Sequence, residues 1–144
     1  MPSLVTLVNW NEQKGEDPQL LKDLKAITER YEPDLVLLQE ARVDLLETNQ
    51  MGGYLAEGWR YPWPGGTTIG VMTLSKVAPV VEIRPLPTKY REFFVTAPKV
   101  SLITEHRLSN RESLLAVNVH LLSFERRGTL KLRSQLDKIR SVMT

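Results

Sequence analysis

The stretch Asp34-Leu35-Val36-Leu37-Leu38-Gln39-Glu40 decides the fold. Four successive apolar residues leave no polar face, so a strand here is covered on both sides, as in a parallel or sandwich-core sheet. Pro33 marks its start, and Glu40 then stands at the carboxyl edge of a sheet, where open α/β sheets bind ligands. Upstream, Leu20, Leu24, Ile27 and Tyr31 recur at helical spacing behind Asp17-Pro18, an N-cap and first helical position. A helix of about four turns follows, stopped before Pro33. Still earlier, Leu4 to Trp10 reads as a first strand and Asn11 to Gly15 as a turn. Strand, helix, strand is a βαβ unit with a right-handed crossover and parallel strands. Parallel strands end on one edge, so Asn11 and Glu40 are expected side by side. An amide and a carboxylate brought together there suit magnesium or a phosphate.

Downstream, Val43, Leu45, Leu46 and Met51 suggest a short helix broken by Gly52-Gly53, with a short strand from Tyr54 to Trp59. Tyr61 to Gly66 is a loop on composition. Thr68 to Ser75 reads as a strand, Val77 to Ile83 as another, and Pro85 and Pro87 end the pair. Lys99 to His106 and Ser113 to Leu121 read as a hairpin about Ser109-Asn110-Arg111. Asn118 and His120, two apart at the end of the second strand, point the same way. Leu132, Leu136, Ile139 and Met143 form one helical face. That pattern is still running at Thr144, so the carboxyl end is expected to be a truncation.

At 144 residues the chain has the size of one domain. Its 42% hydrophobic and 25% charged content are those of a globular protein. No apolar run approaches the length of a membrane span and no signal peptide is recognisable. A cytoplasmic location is therefore expected, and the lack of cysteine, which excludes disulfides and thiolate metal sites, agrees with it. The net charge of +2 is too small to argue for nucleic acid. Residues 105–144 are nonetheless richer in bases than acids, and residues 1–60 the reverse. Arg126, Arg127, Lys131, Arg133, Lys138 and Arg140 equally suit the wet side of an amphipathic helix.

Few residues carry chemistry. His120 is suited to protonating a leaving oxygen near neutral pH, although a neutral, locally bonded histidine is the plainer reading. His106, between Glu105 and Arg107, reads as a surface residue. Glu40 has a plain reading as a solvated strand end, and Asn11 as a turn-former. Phosphate-loop, dinucleotide, nucleophile-elbow and His-Glu-x-x-His patterns are missing.

Trp10-Asn11-Glu12-Gln13-Lys14-Gly15, Asp34 to Glu40, Gly70-Val71-Met72-Thr73-Leu74-Ser75 and Val117-Asn118-Val119-His120-Leu121 together resemble the endonuclease/exonuclease/phosphatase superfamily, the deoxyribonuclease I-like fold. The likeness is nearest to its uncharacterised bacterial cytoplasmic branch. It implies a divalent-metal-dependent phosphoesterase that attacks phosphodiesters, nucleic acid among them, with in-line water. Glu40 and Asn11 would hold magnesium or manganese, and Asn11, Asn118 and His120 would act on the scissile phosphate. The superfamily's later Gly-Asp-x-Asn and Ser-Asp-His motifs do not occur here. The implied fold is therefore α/β (α+β), the amino-terminal half of a four-layer αββα sandwich, with one mixed sheet carrying helices on one face. Residues 1–144 would be the amino-terminal portion of a single domain, inactive alone. Helices on one face leave the other to a second sheet. That cover would come from the missing carboxyl-terminal half or from a second subunit. The competing reading is a non-catalytic module that dimerises or docks a partner through an exposed sheet. A basic nucleic-acid-binding domain ranks third.

Overall fold

The computed structural model describes residues 1–12, 19–43, 51–60, 67–85, 99–121 and 130–143. In order, the elements are β1 (Leu7–Asn11), α1 (Leu20–Tyr31), β2 (Leu35–Arg42), β3 (Gly52–Arg60), β4 (Thr68–Ser75), β5 (Val81–Ile83), β6 (Ser101–Arg107), β7 (Ser113–Val119) and α2 (Leu130–Ser141). The mixed sheet expected from the sequence has the order β1-β2-β4-β3, and the remaining strands form a second, antiparallel sheet, β5-β6-β7. Strand β1 runs parallel to β2, with Leu7 opposite Leu35 and Asn11 opposite Gln39. Strand β4 is antiparallel to both β2 and β3.

The alternation of side chains across β2 explains why its sequence is apolar throughout. Val36 and Leu38 point to one face, where they pack with Leu20 and Leu24 of α1 and with Met72 and Leu74 of β4. Leu35 and Leu37 point to the other and pack with Ala116 of β7. Val71 and Ala56 likewise meet Leu102 of β6 across the two sheets. Helix, sheet and sheet are thus stacked layers of an α+β sandwich, and β2 is covered on both sides. The bare apolar face needed by a docking module is not found on β2 or β4 among the described residues, because the second sheet lies over it; that cover comes from β5–β7 of this chain and not, as expected, from a missing half or a second subunit.

Several expectations are corrected. The strand expected from Tyr54 begins earlier, with Gly52 and Gly53 paired to Ser75 and Leu74 in β3, while the short helix expected before them falls largely on residues outside those described. Residues 44–50, 61–66, Pro87 and the Asp17-Pro18 start of α1 lie outside the described residues. The strand expected from Val77 spans only Val81–Ile83. The first strand begins at Leu7 rather than Leu4 and includes Asn11, which is a strand residue and not part of a turn. Helix α1 is 12 residues long and ends on Glu32 in the left-handed conformation, with φ 44°. That geometry is the usual helix stop, and Pro33 follows it. Of the apolar stripe expected on α2, Ile139 is buried and Leu132 half-buried, while Leu136, and Met143 beyond the helix end, are exposed; Gln135 is the other buried residue among its described side chains. His106 is the largest reversal: it has 0% exposure. Its ring lies in the inward-facing row of β6, and Nε2 is 3.0 Å from Thr104 Oγ1. Burial lowers its pKa from the ordinary 6.5, and the positive amino terminus adds to this, against a backbone hydrogen bond with Val77.

Candidate active site at the carboxyl edge of the sheets

Glu40 is not an ordinary strand residue. The pairing of β2 with β4 slips between Gln39, opposite Val71, and Ala41, opposite Gly70. Glu40 is the extra residue of this bulge, with φ 56°, a left-handed conformation unusual for a residue other than glycine. Bulges of this kind re-aim a side chain. Here Glu40 Oε1 comes to 3.3 Å from His120 Nε2, and each side chain is 21% exposed. His120 follows the last residue of β7, anchored by its N–H, which donates to Val100 O at 3.2 Å, and by its carbonyl, which accepts from Gln135 Nε2 of α2 at 3.0 Å. A carboxylate of the first sheet and an imidazole of the second therefore meet at one edge, 80 residues apart in the chain.

Lys99, just before β6, completes the cluster, its Nζ lying 2.9 Å from the same His120 Nε2. The two contacts call for different proton states of the ring. An ammonium only donates, so its bond to Nε2 requires the neutral ring with the proton on Nδ1. The contact with Glu40 becomes a hydrogen bond only when Nε2 carries a proton. The site thus offers an acceptor, a cation and a ring that can adopt either state. The sequence reading missed Lys99, since a lysine opening a strand carries no signal of its own.

Asn11 ends β1 opposite Gln39, one residue from Glu40, and is exposed. The expected neighbouring of Asn11 and Glu40 on adjacent parallel strand ends is thus met in the backbone. Glu12, which the sequence placed in a turn, is buried at the same edge, and its N–H donates to Gln39 O at 3.0 Å. Asn118 is placed differently from the other three. It is 1% exposed, donates from Nδ2 to Met72 O at 2.9 Å and Leu38 O at 3.2 Å, and accepts from Gln39 Nε2 at 2.8 Å. Its polar atoms face the interior between the sheets and not the edge. Among the described residues no three His, Asp or Glu side chains converge as a metal cage. No helix among them is long and apolar enough to cross a membrane.

The profile of the Endonuclease/Exonuclease/phosphatase family matches residues 8–132. A UPF0294 protein of Photorhabdus laumondii is 32% identical over 128 residues, covering 82% of this chain and 44% of that protein. A UPF0294 protein of Vibrio parahaemolyticus is 28% identical over 145 residues, covering 96% of this chain and 48% of that one. The chain spans less than half the length of these relatives. Among solved structures, the endonuclease/exonuclease/phosphatase from Beutenbergia cavernae superposes with a TM-score of 0.66 at 15% identity, over 96% of this chain and 43% of that one. D. rerio TDP2 complexed with single-strand DNA product gives 0.65 at 22% identity, over 94% and 54%. The human Nocturnin catalytic domain with bound sulfate anion gives 0.61 at 16%, over 99% and 61%. At these identities the likenesses establish the fold.

Proposed function

Because the chain belongs to the endonuclease/exonuclease/phosphatase family, we propose that it supplies one side of the active site of a phosphodiester hydrolase, with the backbone of nucleic acid as the substrate class. The observation that carries this reading is the meeting of Glu40, His120 and Lys99 on one half-exposed edge. A phosphodiester anion is complementary to Lys99 and to His120. The reaction breaks one P–O ester bond: water adds to phosphorus in line and the ester oxygen departs with a proton. His120 Nε2 is the group positioned to provide that proton or to balance the charge on the departing oxygen.

The fold family implies a divalent cation, and the donors present suit one. Magnesium takes oxygen ligands, uses one or two protein carboxylates and keeps several waters. Glu40 offers a carboxylate and Asn11 an amide oxygen at neighbouring strand ends, so these two residues would hold it. When bound, such a cation supplies neutralisation of charge on the phosphoryl oxygens. Residues 1–144 then form the amino-terminal portion of a single hydrolase domain, cytoplasmic and dependent on the remainder of that domain for activity. The extent of the longer relatives supports this.

The test is hydrolysis of bis(p-nitrophenyl) phosphate and of single-stranded DNA by the full-length protein. Activity is expected to vanish with EDTA, to return with magnesium or manganese, and to fall at least about 100-fold in Glu40→Gln. Undiminished turnover by Glu40→Gln would remove Glu40 from the reaction.

A further inference from the structure

The two groups that meet at the edge belong to different sheets, Glu40 to the first and His120 to the end of the second, so their separation depends on how the sheets sit on each other. Part of that interface is apolar, formed by Leu35, Leu37, Val71, Ala56, Leu102 and Ala116, and beside it lie the buried Thr73 of β4 and Thr104 and His106 of β6. Apolar contact is strong but non-directional, and tolerates a slide that a hydrogen bond does not. Behind the edge the apolar packing is interrupted by a chain of amides. Gln39 Nε2 donates to Asn9 Oδ1 of β1 and to Asn118 Oδ1 of β7, both at 2.8 Å. Asn118 Nδ2 in turn donates to the main-chain oxygens of Leu38 and Met72, residues opposite each other on β2 and β4. Four strands and both sheets are tied at one point. Each amide also stands directly behind an edge residue: Asn9 two before Asn11, Gln39 one before Glu40, Asn118 two before His120.

We infer that Gln39 and Asn118 form a cross-sheet amide clamp that sets the distance between Glu40 and His120, and are positioning residues for the site. The inference rests on the reading of that edge as the active site. Buried amides are costly to desolvate, and a leucine facing an alanine would fill the same space without that cost. Hydrogen bonding at this place therefore specifies geometry at least as much as it stabilises. The same bonds occupy Asn118 completely on its donor side and keep it 1% exposed, so it acts through its neighbours and not by touching substrate.

The experiment uses the full-length protein with Gln39→Met, which keeps length but cannot donate, and with Asn118→Leu as a second variant. Ile103→Val, buried in β6 away from the amides, serves as a control for a general loss of packing. Clamp variants are expected to lose roughly 10- to 100-fold in kcat with KM within about twofold. Their His120 ring-nitrogen resonances should move towards those of Glu40→Gln, while Ile103→Val leaves both unchanged. A rise in KM with kcat unchanged would instead make Asn118 a substrate contact and overturn the clamp. So would unshifted His120 resonances in a folded Gln39→Met protein. If the parent protein hydrolyses no phosphodiester, the functional reading fails, yet the resonances still decide whether the amides set the Glu40–His120 geometry.

Discussion

Glu40 shows how much one residue can be asked to sustain. Its left-handed φ of 56° costs an ordinary side chain about 1–2 kcal/mol, whereas glycine adopts it freely. Glycine within a strand is normally less stable than alanine by about 0.5–1 kcal/mol, so the order should invert here. Glu40→Gly is expected to be more stable than Glu40→Ala by about 1 kcal/mol in urea titrations, both lacking the carboxylate. His106 makes a second prediction. Its pKa is lowered in the folded protein, so below about 6.5 the unfolded chain binds a proton that the folded one resists. This contribution to stability is complete above that pH and is lost progressively as pH falls through the window beneath it. Melting temperature followed from pH 7.5 to 5 should drop, and His106→Gln should flatten the slope. The sequence showed Glu40, Asn11 and His120 because strand ends can be counted from the apolar runs. It did not show Lys99, Glu12 or the burial of His106, whose neighbours Glu105 and Arg107 disguise an inward-facing position.

Strand β4 carries the same logic at the level of an element. Gly70 lies opposite the bulge of β2 at Gln39 and Ala41, and also next to a second bulge, in β3, between Glu57 and Trp59. A Cβ at Gly70 would stand 2.0 Å from Ala56 O, a main-chain atom that cannot swing aside. Gly70→Ala must therefore push β3 and β4 apart. We expect a loss of about 2–3 kcal/mol in denaturant unfolding, with reduced turnover as well, because the displaced backbone holds Ala41 beside Glu40. The motif Gly70 to Ser75 was legible as a strand, but the reason for its glycine was not, since bulges arise from pairing and leave no trace in a single strand. Helix α2 was legible as a helix, but the part played by its one buried amide was not. Its stripe follows helical periodicity and buries Ile139, while Gln135, which donates to His120 O, carried no signal of its own.

At the scale of the molecule, the need for a layer on each face of the mixed sheet could be read from β2 alone, but the source of the second layer could not, since β5–β7 of the same chain supply it. What a linear reading lacked was which strands share a sheet, because β4 and β6 both bury nearly every residue and only pairing separates them. The site spans that division, and the chain covers less than half of its UPF0294 relatives. The 144-residue chain assayed alone is accordingly expected to show no measurable hydrolysis under conditions where the full-length protein turns over. Relatives of this chain should also vary in length at particular places only. The β6–β7 reversal, closed by Leu108 N–H donating to Glu112 O at 2.8 Å, lies at the opposite end of β7 from His120. Extra residues there would project into solvent and leave the facing rows in step. A single residue gained or lost between Val117 and His120 would swap inward for outward side chains, turning the imidazole away from Glu40 and putting a valine in its place, so this short segment should resist insertion even where its identities drift.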